Sequence, residues 1–227
     1  MTAGGPTVGL RWPSHPFIQA VIRACGFPLA APSANLSTGL SPTSAAHVQK
    51  SLGNRIPLIV DGGQAQVGIE STVVDISRFP FQVLRPGMIH SESLVAAAGY
   101  EILPAKSPGT QAAAGVPRSP GQLEKHYAPK ARLVMWSWRD EADLKCQMAQ
   151  LPVPPDRCHI IAHTRIPLGL APECVSVIPH DPEAFARALY AELHRSDEAG
   201  AAVIIIEAVP DTPAWAGIRD RLRRAAT

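Results

Sequence analysis

The chain has 227 residues, 46% of them apolar, and a formal net charge of +2, which is enough length for one large or two small folded domains and too little charge to imply by itself a nucleic-acid or membrane partner. Cys25, Cys146, Cys158 and Cys174 contain no Cys-x-x-Cys pair, which argues against a zinc knuckle or a disulfide framework and for a reducing compartment. No stretch reaches the roughly 18 apolar residues of a membrane span, and the first residues lack the basic and apolar regions of a signal peptide, so the expectation is a soluble, cytoplasmic protein.

In chain order, Thr7 to Trp12 reads as a strand. His15 to Cys25 reads as a helix with Pro16 in its first turn and Gly26 as its stop. Pro28 to Ala31 reads as a buried strand ended by Pro32, and a run of small hydroxyl and amide side chains follows it, including Ser33, Asn35, Ser37 and Ser41. Such residues are poor core material but offer donors and acceptors with little side-chain entropy to lose, as a loop binding phosphate, carboxylate or ribose oxygens requires. The alternative is that they only build turns and cap the next helix, Thr43 to Leu52. Leu58 to Val60 is an expected strand running into Gly62 and Gly63, and Ser71 to Ile76 and Gln82 to Leu84 are two more.

Between Ser107 and Pro129 a Pro-, Gly- and Ala-rich stretch shows no apolar periodicity and is long for a passive connection, which favours a functional loop. Beyond it, Arg132 to Trp136, His159 to His163, Val175 to Ile178 and Ala202 to Ala208 read as strands. Helices are expected near Glu141 to Gln150, Pro182 to Ser196 and Ala216 to Ala226. This alternation predicts a small doubly wound α/β domain. His159 and His163 are four apart but lie in a strand pattern without a carboxylate motif, so no metal site is assigned. Arg219, Arg221, Arg223 and Arg224 read as a solvated basic helix face.

The segments Thr7 to Pro16, Ala31 to Thr43, Asp61-Gly62-Gly63, Val67 to Asp75, Val83 to Gly87 and His126 to Pro129 form an ordered set. Together they resemble the YrdC-like threonylcarbamoyl-AMP synthases in their long form with an added C-terminal domain. The resemblance covers essentially the whole chain and is strongest over residues 6 to 88 and 119 to 131. It implies an α/β fold in three parts: a partial YrdC-like twisted sheet in residues 1–106, a linker or lid in 107–131, and a Rossmann-like domain in 132–227.

The resemblance also implies a reaction in which threonine, bicarbonate and ATP give threonylcarbamoyl-adenylate and pyrophosphate, in the path to a modified tRNA base. ATP enters as a substrate, with magnesium. By this resemblance Arg11, Ala31 and Ser71 meet threonine, while Thr7, Ser33, Asn35, Ser41, Arg85 and Tyr127 meet the nucleotide. His126 anchors the fold-back of the linker, and no residue is assigned as catalytic. The expected partners are the three substrates and proteins of tRNA modification; the case for direct RNA contact is weak.

The family's basic N-terminal Lys-x-Arg-type motif has no equivalent in residues 1 to 30. The chain is therefore expected to be an N-terminally truncated synthase, poor in turnover by itself. Two alternatives remain at this stage, a non-catalytic nucleotide- or RNA-binding fragment and a carbamoyl-transfer domain of the hydrogenase-maturation type. The absence of a Walker loop, a Ser-His-Asp order or a paired-carboxylate motif leaves P-loop and hydrolase readings without support.

Overall fold

A computed structural model describes residues 6–105 and 128–226. The expected linker, with His126 and Tyr127, lies outside the described residues almost entirely, as do Met1 to Gly5 and Thr227.

Two sheets organise the described residues. The first has three strands in the order β1-β2-β3: β1 (Val73–Asp75) runs antiparallel to β2 (Phe81–Arg85), and β3 (Ile102–Leu103) runs parallel to it. Helix α1 (Pro16–Cys25) starts where the His15 ring accepts from the Phe17 amide. Helix α2 (Ala45–Leu52) starts two residues later than expected, because Ser44 rather than Ser41 supplies the cap, accepting from the His47 amide. Helix α3 (Ser91–Ala98) and β3 lie in a stretch for which the sequence reading assigned no element.

Three expected strands do not pair. Thr7 to Trp12, Pro28 to Ala31 and Leu58 to Val60 form no ladder among the described residues. Their apolar side chains are exposed, with Leu10 at 87%, Trp12 at 72% and Leu58 at 74%. An apolar pattern favours an extended chain, but a strand also needs a neighbour to hydrogen-bond, and the described residues supply none.

The second sheet, in the order β4-β7-β5-β6, is wholly parallel. It comprises β4 (Arg132–Trp136), β5 (Cys158–Ala162), β6 (Val175–Val177) and β7 (Val203–Glu207). Every residue of β5 and β7 is buried, as expected of central strands covered on both faces. Val203 and Ile205 point with Cys158, Ile160 and Ala162 into a core against α4 (Glu141–Met148), which contributes Leu144 and Met148. Ile204, Ile206 and Ile161 point the other way, into the larger core with α5 (Pro182–Glu198) and α6 (Ala216–Ala225). The alternation follows from the two-residue period of a strand. Asp181 caps α5 by accepting from the Ala184 amide at 2.8 Å, and Phe185, Leu189 and Leu193 lie fully buried on one face.

The larger core does not stop at the second sheet. Leu40 and Ile69 belong to it, and Met88 packs against it. Gly87 and Gly217 meet where the two halves touch: a side-chain carbon on Gly217 would lie 2.9 Å from the Gly87 carbonyl oxygen. Only a residue without Cβ permits that approach.

Candidate functional site

The serine loop is braced from within. Asn35 Nδ2 donates to the carbonyls of Leu36 at 2.9 Å and Gly39 at 2.8 Å, while Thr38 takes a positive φ of 69°. Asn35 Oδ1 is buried with no partner among the described residues. The amide of Ala128, the residue after Tyr127, donates to the Thr38 carbonyl at 3.2 Å. The C-terminal end of the linker is thus attached to the serine loop.

Neighbouring segments are tied to the same region. Thr43 Oγ1 accepts from Gln64 at 2.9 Å, the Thr43 carbonyl accepts from the Ala65 amide at 2.9 Å, and His15 Nε2 approaches the Gly62 carbonyl at 3.3 Å. Gly63 in turn donates to Asp61 Oδ1 at 2.8 Å. The Asp61-Gly62-Gly63 turn therefore links the start of α1 to the loop that leads into α2.

Ser71 and Arg85 come together. Arg85, 3% exposed at the end of β2, donates from Nε at 3.1 Å and Nη2 at 3.0 Å to the Ser71 carbonyl. This leaves the Ser71 side chain on the exposed side of a fixed backbone. Thr72 donates to the Ile89 carbonyl at 2.8 Å, and Gly87 packs so closely on residues 70–72 that a side chain there would overlap the Thr72 amide.

Ser41 joins the serine loop to Glu70 and to α5. Its hydroxyl donates to Glu70 Oε1 at 2.6 Å, and its carbonyl faces His194 Nε2 of α5 at 3.1 Å. Glu70 also accepts from Tyr190 at 3.3 Å and from Arg221 Nε at 2.5 Å through Oε2. Thr7, Arg11, Ala31 and Ser33 are exposed, and among the described residues no hydrogen bond joins them to the Ser71–Arg85 pair.

The sequence reading of the C-terminal arginines needs correction. Arg221 is 1% exposed, not solvated. Besides Glu70 Oε2 it donates to the carbonyls of Glu70 and Pro86, both at 3.2 Å, and to Asp220. Burial would lower its pKa, but Glu70, Tyr190 and Asp220 together outweigh that and hold it above the ordinary value. The available signal was the spacing of Ile218, Arg221, Leu222 and Ala225, which puts position 221 on the buried stripe of α6.

Among the described residues no three His, Cys, Asp or Glu side chains are grouped to hold a metal ion. His159 lies within β5 and His163 just beyond it, and His163 Nδ1 meets His180 Nδ1 at 2.7 Å. Among the described residues no helix is long and apolar enough to cross a membrane.

Comparison with known proteins bears on the whole chain. The family described as threonylcarbamoyl-AMP synthase, C-terminal domain, matches residues 89–227, and a family described as telomere recombination matches residues 1–87. The threonylcarbamoyl-AMP synthase of Bacillus subtilis is 37% identical over all of this chain and 65% of its own length. That of Schizosaccharomyces pombe is 33% identical over all of this chain and 59% of its own length. The crystal structure of Pyrococcus abyssi Sua5 complexed with L-threonine superposes with a TM-score of 0.81 at 30% identity, covering 99% of this chain and 65% of that one. The chain thus spans about three fifths to two thirds of the length of these relatives.

Proposed function

This chain belongs to the threonylcarbamoyl-AMP synthase family, and from that premise we propose that it forms the threonine- and nucleotide-holding part of an L-threonylcarbamoyladenylate synthase. The observation that carries the reading is the Ser71–Arg85 pair, where a buried arginine fixes the backbone of an exposed serine beside the serine loop. It stands in a chain whose fold follows a threonine-complexed relative over 99% of its length.

The reaction needs no covalent enzyme intermediate. The threonine amine takes up bicarbonate with loss of water to give an N-carboxylated amino acid. An oxygen of that new carboxylate then attacks the α-phosphorus of ATP, and the bond from the α-phosphorus to the bridging oxygen breaks to release pyrophosphate. The protein's work is to align nucleophile and leaving group and to supply fixed donors where charge develops. Ser71 would orient the amino acid, with Arg11 and the Ala31 backbone completing its site. Thr7, Ser33, Asn35 and Ser41 would meet the nucleotide. Arg85 serves the site by holding Ser71 in addition to any contact with phosphate.

Magnesium enters this reading as part of the ATP complex, accompanying the substrate's phosphates. The Ala128 amide is bonded to the Thr38 carbonyl, and Tyr127, which lies outside the described residues, would meet the nucleotide. The adenylate would pass, in the cytosol, to the proteins that modify tRNA.

Pyrophosphate release measured with threonine, bicarbonate and ATP tests the reading. Release that requires all three is expected, and Ser71→Ala should raise the KM for threonine about tenfold, the size typical of one lost substrate hydrogen bond. Absence of both threonine-dependent release and threonine binding would overturn it.

A further inference from the structure

We propose that Arg221 is a positioning residue for the substrate site, acting from the C-terminal domain through Glu70. The inference rests on the reading that Ser41, Ser71 and Arg85 belong to that site. The planar guanidinium reaches three groups of the first domain at once: the Glu70 carboxylate, the Glu70 carbonyl and the Pro86 carbonyl. Glu70 directly precedes Ser71, and Pro86 directly follows Arg85. One side chain of α6 therefore sets the spacing of the two segments that carry the Ser71–Arg85 pair.

The same carboxylate reaches the serine loop. Its second oxygen accepts from Ser41, while Tyr190 of α5 donates to the oxygen that Arg221 holds. Arg221, Tyr190 and Glu70 thus form a continuous polar path from two C-terminal helices to both substrate-bearing segments. With Arg221 1% exposed, the guanidinium cannot turn to water if Glu70 shifts, so the geometry is held on both sides. A lysine would keep the charge but not the fork that meets a carboxylate and two carbonyls together.

Calorimetric titration with threonine and with ATP, for the parent chain, Arg221→Lys and Glu70→Gln, at a temperature where circular dichroism shows all three folded, tests the proposal. Threonine and ATP affinities are expected to fall about tenfold or more in Arg221→Lys, as for a lost charge-assisted hydrogen bond that acts through the site. Combining it with Glu70→Gln should weaken binding less than the product of the single effects, since both break one path. Affinities within about twofold of the parent in a folded Arg221→Lys would overturn the proposal, because a merely structural role lowers the melting temperature without altering binding by folded protein.

Amide hydrogen exchange without ligand supplies a second readout. Residues 69–72 and 87–88 should exchange faster in Arg221→Lys while the central strands β5 and β7 keep their protection. Unchanged exchange at residues 69–72 would also overturn the proposal. If the parent binds neither threonine nor ATP, the reading of the site fails instead, and the exchange comparison still decides whether Arg221 holds these segments.

Discussion

Glu207, at the end of β7 and 3% exposed, accepts from the amides of His163, Thr164 and Arg165 and from the Thr164 hydroxyl. Burial would raise its pKa, but these donors outweigh that and hold the carboxyl below its usual value. Glu207→Gln would turn an amide NH2 toward backbone N–H groups and is expected to cost about 2–4 kcal/mol in stability, read by urea unfolding. A loss below about 1 kcal/mol would show that the turn does not depend on the carboxylate. The sequence announced neither Glu207 nor the Glu70–Arg221 pair, because their partners are backbone groups or lie 151 positions away. Motif resemblance singles out both Ser71 and Arg85 but not the bond between them: residue identity does not say which carbonyl a guanidinium will meet.

At the scale of elements, the second sheet was readable almost to the residue. Arg132–Trp136 was predicted and found, and α5 begins at Pro182 after Asp181 as its cap demands. Strands buried on both faces print continuous apolar runs, and capped amphipathic helices print their own boundaries. The first half was less legible because pairing is a property of two segments, so the apolar runs at Leu10, Leu29 and Leu58 predicted strands that have no ladder among the described residues. The serine loop stood out by composition alone, and its order depends on Asn35, whose amide nitrogen holds two carbonyls. Asn35→Asp removes both donors and is expected to weaken ATP binding about tenfold by loosening the loop before the ligand arrives. Calorimetric titration checks this; an unchanged ATP affinity would detach the bracing of the loop from nucleotide binding.

Across the described residues, burial lowers the pKa of three histidines, His47, His159 and His163. His47 of α2 stacks on His194 of α5 with ring centroids 3.9 Å apart, while Lys50 and Glu198 pair nearby at 2.8 Å. Burial first, then His194, depresses the His47 pKa. Burial likewise depresses His159, with Arg195 adding to the effect, and His163, where burial prevails over the opposing Glu207 carboxylate. His163 and His180 share one short Nδ1···Nδ1 contact, which needs one donor and one acceptor. A histidine whose folded pKa is depressed stabilises the fold fully above its unfolded value of about 6.5, and that contribution is lost as pH falls through the lower folded value. Stability should therefore hold from pH 8 to about 6.5 and decline below it, with a slope of up to about 1.4 kcal/mol per pH unit for each imidazole kept neutral. The depressed carboxyl of Glu207 adds its own loss only further into acid, starting in the ordinary carboxylate range and continuing down through its lower folded value. Urea midpoints measured between pH 8 and 5 should trace this decline, and His47→Gln, which removes one titrating ring from the contact between α2 and α5, should flatten it. Equal midpoints at pH 7.5 and 5.5 would mean that these rings accept protons in the folded protein as readily as in the unfolded chain.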